Sequence, residues 1–173
     1  MDKKDKKLII SLVSRYLLII ILGLNLSIIS GLLLSPTLYL TKTILSLFYP
    51  TFLLPGSIIY FNSISVELIP SCISASAYFL LFILIFSTPN IKAIKMIFLV
   101  VLSFVLFFII NILRISFLAL IYNYNYFNIL HKSLWFFLST MFVVIIWFSL
   151  VKAFKIKEIP IYSDILSLKK YSK

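Results

Sequence analysis

Residues 94–113 read Ile94-Lys-Met-Ile-Phe-Leu-Val-Val-Leu-Ser-Phe-Val-Leu-Phe-Phe-Ile-Ile-Asn-Ile-Leu113. At a rise of about 1.5 Å per residue, this run makes a helix about 30 Å long, the thickness of a bilayer's hydrocarbon core. A strand of a transmembrane barrel would alternate apolar and polar residues, and this run does not. A helix is the other way to satisfy a backbone in lipid. Working outward, three more runs have the same character: residues 8–34, 73–88 (the shortest) and 133–151. The expectation is an all-α integral membrane protein, a single polytopic domain built as a bundle of four transmembrane helices.

The whole chain agrees with this reading. It has 173 residues, 62% hydrophobic and 12% charged, too apolar for a soluble domain to bury. Its formal net charge is +11. On a soluble protein, that charge would raise nucleic-acid binding. Here the cations flank apolar runs: Lys3, Lys4, Lys6 and Lys7 before the first, and Lys152, Lys155 and Lys157 after the last. Such clusters anchor the cytoplasmic side of a membrane protein, so no nucleic-acid partner is expected. The basic start followed by residues 8–34 reads as a retained span, because the run is too long for a signal peptide's apolar core.

With residues 1–7 inside, the first helix runs outward. Lys92 and Lys95 then fall inside, and so does the basic tail 152–173. Residues 35–71 lie outside. Within them, residues 36–54 are apolar but hold Lys42 and are bounded by Pro36, Pro50 and Pro55. They read as an interfacial helix on the outer face, or as a fifth span that would invert everything downstream. Residues 56–69 alternate Ile64, Val66 and Leu68 with Ser65 and Glu67, and Asn62-Ser63 suits a turn. A short β-hairpin is expected there.

Under this topology three chemically distinctive residues reach the outer face. Cys72, the only cysteine, opens the second span, with Pro70 before it and Ser71 as a candidate N-cap. Asn111 and Arg114 close the third. His131, the only histidine, opens the fourth. Each has a plainer reading: a packed thiol, a snorkelling arginine, a neutral interfacial imidazole. Yet a cation inside an apolar stretch is costly and usually has a partner or a job. The first turn of a helix favours a thiolate, and an imidazole can take a thiol proton. Together they suit cysteine acyl transfer: Cys72 as nucleophile, His131 as general base, Arg114 holding the thiolate or the oxyanion. Asn111, one turn before Arg114, can bind a substrate carbonyl. Glu67 can orient His131 or bind a basic group. A single cysteine excludes an internal disulfide and a multi-cysteine metal site, and no metal or organic cofactor is indicated.

The order Cys72, then Asn111-Ile-Leu-Arg114, then Leu130-His131 on successive membrane helices resembles the exosortase/archaeosortase family of membrane transpeptidases. So does the local text Ile69-Pro-Ser-Cys-Ile-Ser-Ala-Ser-Ala-Tyr78 after a short hairpin. The resemblance covers about residues 36–150. It implies Cys72 as nucleophile, Arg114 as the essential arginine, His131 at a third position that is His or Arg in the family, and Asn111 at the asparagine before the arginine. Many members carry Gly two residues after the cysteine, where this chain has Ser74. The implied substrates are surface proteins ending in a short motif, a membrane helix and a basic tail. They would be cleaved outside and transferred to a lipid or other envelope acceptor. The implied location is the plasma membrane, with both termini cytoplasmic. The competing reading is a non-catalytic membrane protein, an assembly factor or a subunit of a transporter complex.

Overall fold

The structure is a computed structural model that describes residues 3–134 and 139–171. It is mostly helical. Helices α1 (Lys3–Leu24) and α2 (Leu26–Leu45) follow one another with a break at Asn25. Strands β1 (Thr51–Leu54), β2 (Ile58–Phe61) and β3 (Ile64–Glu67) come next, then a 3-10 turn at Pro70–Ile73. The rest is helical: α3 (Ala75–Phe86), α4 (Ala93–Leu120), α5 (Phe127–Ser133), α6 (Ser139–Ala153) and α7 (Tyr162–Tyr171). Two of these, α2 and α4, are long and apolar enough to cross a membrane. The apolar parts of α1, α3 and α6 are shorter.

Several boundaries differ from expectation. Residues 35–45 are not a separate interfacial helix, because Pro36 lies inside α2. Proline removes one backbone bond and usually ends a helix. Here a buried face of Ser30, Leu33, Thr37, Thr41 and Leu45 runs straight past it at helical spacing, and packing overrides the stop signal. The expected first span, 8–34, is instead divided at Asn25, whose Nδ2 donates to the Ile21 carbonyl. The third helix does not close at Asn111 and Arg114 but continues to Leu120. Of the expected fourth span, 133–151, residues 135–138 lie outside the described part. The described helix begins at Ser139.

The expected hairpin is one half of a three-stranded antiparallel meander, ordered β1-β2-β3. Asn62 and Ser63 form its two-residue turn, both with positive φ, the geometry that matches strand twist. β1 comes from Thr51–Leu54, residues expected to belong to the ambiguous apolar segment. Ile59, Phe61 and Leu68 bury against Leu45 of α2 and against Ile115 and Ala119 of α4. The sheet therefore sits at the C-terminal ends of α2 and α4 and delivers the 3-10 turn to that end of the molecule.

Helix α3 packs on α1, α2, α4 and α6. Its Tyr78, Leu81 and Ile85 meet Leu99 and Phe107 of α4 and Val143 and Trp147 of α6. The Tyr78 ring lies tilted against Phe104 at 4.7 Å and meets Phe107 edge-on at 4.8 Å. The outward side of α4 is apolar too: Ile97, Phe98, Val101, Ile109, Leu113 and Phe117 are all exposed.

At the opposite end from the sheet, Lys92, Lys95, Lys155 and Lys157 line one cleft of about 430 Å³ with Asn90 and Glu158. Nearby, Arg15 of α1 bonds Asp164 of α7 at 2.7 Å and the Phe86 carbonyl at 3.2 Å. Tyr16 Oη donates to the other Asp164 oxygen, and the Ile161 N–H to the Ser87 carbonyl. The polar tail is thus helical in part and clasped to α1 and α3. Asp164→Ala should strand a mostly buried arginine and loosen α7 by about 3 kcal/mol, the low end for a broken buried pair. Hydrogen exchange of α7 amides should then accelerate, while that of α4 stays as it was.

Candidate active site

Cys72 does not sit in the first turn of an α-helix. It lies in the 3-10 turn, and Ser74, not Ser71, is the residue before α3. Ser74 takes a left-handed conformation, φ 58° and ψ 45°, which costs a non-glycine residue about 1 kcal/mol. That bend separates the turn from α3 and leaves the Cys72 and Ile73 carbonyls outside helical hydrogen bonding. Both face α4. Asn111 Nδ2 donates to the Cys72 carbonyl at 3.1 Å and to the Ile73 carbonyl at 3.4 Å. Arg114 Nη2 also donates to the Cys72 carbonyl, at 3.0 Å. Two side chains one helical turn apart thus hold the main chain of the one cysteine.

Arg114 explains why α4 runs past it. The residue is 9% exposed, and most of its guanidinium donors are engaged inside the protein, with Nε buried and unpartnered. Nη2 donates to Ser74 Oγ at 3.0 Å and Nη1 to Ser139 Oγ at 2.5 Å. No carboxylate pairs with it among the described residues. A guanidinium carries five N–H donors. Both on Nη2 and one on Nη1 are engaged, which leaves Nε–H and the second Nη1 proton. Ser139 Oγ in turn donates to the Leu134 carbonyl at 3.3 Å. Leu134 closes α5, the short helix that carries His131. The chain Arg114–Ser139–Leu134 therefore ties α4 to the segment holding the imidazole.

A cavity of about 210 Å³ lies above this network, lined by Cys72, Arg114 and His131 with Ile69, Ser71 and Leu118. It would hold roughly seven waters' worth of liquid, enough for a peptide group and a small side chain. The three residues come from the 3-10 turn, α4 and α5, separated by 42 and 17 positions in sequence. Cys72 is partly exposed and His131 exposed, with its ring stacked on Phe127 at 5.5 Å. His131 does not open the long helix, as expected, but belongs to α5, ahead of it. Glu67 stands exposed on β3 opposite Ile58 and does not line the cavity.

No family model, curated protein or solved structure matches this chain.

Ser74 and Ser139 are the site residues that sequence reasoning missed. Their signal is weak, a serine at either end of an apolar run, and only the arginine between them gives it meaning. Ser139→Ala removes one charge-assisted bond from a buried guanidinium. The expected loss is about 2 kcal/mol of thermal stability, read as a lowered melting temperature in detergent.

Proposed function

We propose that this chain is a membrane-embedded cysteine transpeptidase or protease of the exosortase/archaeosortase kind. It cleaves C-terminal sorting signals of surface proteins at the outer face of the plasma membrane and passes them to an envelope or lipid acceptor. The observation that carries this reading is the meeting of Cys72, Arg114 and His131, from three separate segments, in one small cavity.

The membrane reading is a bundle crossing four times, through α1–α2, α3, α4 and α6. The apolar outward side of α4 supports it, because an exposed apolar face suits lipid better than water. Charge supports the orientation. The lysine cleft lies at the start of α4, and Arg114 lies about 32 Å along it at 1.5 Å per residue. That is about one hydrocarbon thickness away, so lysines inside put the thiol near the outer interface.

In this mechanism His131 takes the Cys72 thiol proton as Sγ attacks the carbonyl carbon of the scissile peptide. The carbonyl oxygen becomes an oxyanion, which the positive charge of Arg114, in the wall of the same cavity, would stabilise. Collapse breaks the C–N bond, and the leaving amine takes the proton back from His131. A thioester on Cys72 remains. An acceptor amine or hydroxyl then attacks it and regenerates the thiol; attack by water gives hydrolysis. Arg114 and Asn111 already grip the Cys72 carbonyl, so they also fix where the thiol stands.

The test is to trap the acyl-enzyme. The purified protein is mixed with the C-terminal region of a surface protein from its own genome that ends in a motif, an apolar helix and a basic cluster. Acid quenching and mass spectrometry should find the fragment on the Cys72 peptide, released by hydroxylamine as a thioester is. If such substrates are cut and the adduct sits on another residue, the Cys72 mechanism falls; if none is cut at all, the reading falls to the non-catalytic alternative.

A further inference from the structure

A second and larger cavity, about 530 Å³, adjoins the first. Ser30 of α2, Ser71 of the 3-10 turn, Ser74, Ser76 of α3 and Ser139 of α6 line it. Ser71 borders both cavities, and Ser74 and Ser139 are the two hydroxyls that hold Arg114. The larger space therefore begins where the smaller one ends. No charged side chain lines it among the described residues. Its wall is a set of hydroxyls in an otherwise apolar bundle: Ser71, Ser74 and Ser76 keep a proton to donate, while Ser30 and Ser139 give theirs to the Leu26 and Leu134 carbonyls and keep a lone pair to accept.

A peptide bond inside a helix is a poor target, because its neighbours close over it and its carbonyl is engaged. For a thiol to reach it, the chain must open locally. Opening frees N–H and C=O groups in alternation, and among apolar helices each one needs a new partner. Lysines or carboxylates answer only one of the two polarities. Hydroxyls answer both without adding a charge. A phosphate headgroup, by contrast, would call for cations, and Arg114 is already turned into its own network.

We propose that the serine-lined cavity holds the unwound main chain of the substrate where its membrane helix begins, next to the scissile bond. The proposal rests on the transpeptidase reading and names the part of the substrate that the larger cavity takes.

The test uses Ser76→Cys in a Cys72→Ala background, in phosphatidylcholine vesicles. Ser76 is exposed, so the exchange leaves the packing alone. The probe is a synthetic peptide with a polar extended segment, a twenty-residue Leu/Ala helix and terminal lysines, carrying one cysteine. Under mild oxidation, disulfide formation should be at least fivefold greater with the probe cysteine in the extended segment than in mid-helix. Equal crosslinking along the probe, or none, overturns the proposal. A second arm uses Ser76→Phe, which fills the cavity. Cleavage of a processed substrate should fall at least tenfold while a small maleimide still labels Cys72. Cleavage at the normal rate overturns the proposal, and so does normal acylation with a stalled thioester, which would give the cavity to the acceptor instead. Cys72→Ala is run beside both. If it leaves cleavage intact, the transpeptidase reading fails, while the crosslinking pattern still reports what the cavity binds.

Discussion

Cys72→Ala should abolish processing of a sorting-signal substrate, by about 10⁴-fold or more, and leave the fold in place. The size follows from the chemistry: without a nucleophile there is no thioester, and what survives is catalysis by positioning alone. The intact fold follows from the contacts. Asn111 and Arg114 hold the carbonyl of residue 72, which alanine also has. Cys72→Ser keeps an attacking oxygen but loses the easier ionisation of sulfur, so it should retain at most about 1% of the rate. The check is substrate maturation in cells by mass shift, with melting of the purified variants alongside. Full processing by both variants would falsify the nucleophile assignment.

Arg114→Lys should cost both rate and stability, although the charge is kept. The guanidinium bridges Ser74, Ser139 and the Cys72 carbonyl at once, and a flexible point charge cannot span that triangle. An ammonium has three donors but a single centre, so it cannot reach all three acceptors at once. A fall of about 10²- to 10³-fold in processing rate is expected, the range for losing a fixed donor to a developing oxyanion. Thermal stability should drop by about 3 kcal/mol, since the lost bonds are charge-assisted and buried. Arg114→Gln should be worse on both counts. The two readouts separate two roles. A variant that melts early but processes at the normal rate would make Arg114 purely structural. A normal melt with lost activity would make it purely chemical.

Much of the site could be read from the chain, because its reactive types are rare. The one cysteine, the one histidine and an arginine at the far end of the third apolar run point to Cys72, His131 and Arg114, and they line one cavity. Asn62-Ser63 was legible because positive φ at both turn positions has a compositional signature. The misread parts share another cause. Pro36 marks a helix end locally, yet a buried stripe on a neighbouring surface carries α2 through it. Arg114 looks like a helix terminus until Ser74 and Ser139, 40 and 25 residues away, are beside it. Arg15 and Asp164 lie 149 positions apart, and no local pattern links them. Signals written in neighbouring residues survived, and those written in distant partners did not.

The backbone at Ser74 bears on which residues can stand there. Under the proposed kinship with the exosortases, position 74 is one that often carries glycine. On paper that is a departure from the motif. The left-handed φ of 58° at Ser74 is a conformation that glycine supplies freely. Serine accepts a little strain there and brings an oxygen to Arg114 in return. Glycine there should relieve about 1 kcal/mol of strain and lose a bond to Arg114 worth about 2 kcal/mol, so Ser74→Gly should cost roughly 1 kcal/mol. A search for relatives should therefore allow any residue tolerant of left-handed geometry two places after the cysteine (Gly, Asn, Asp or Ser) and should weight the arginine of α4 more heavily than the glycine.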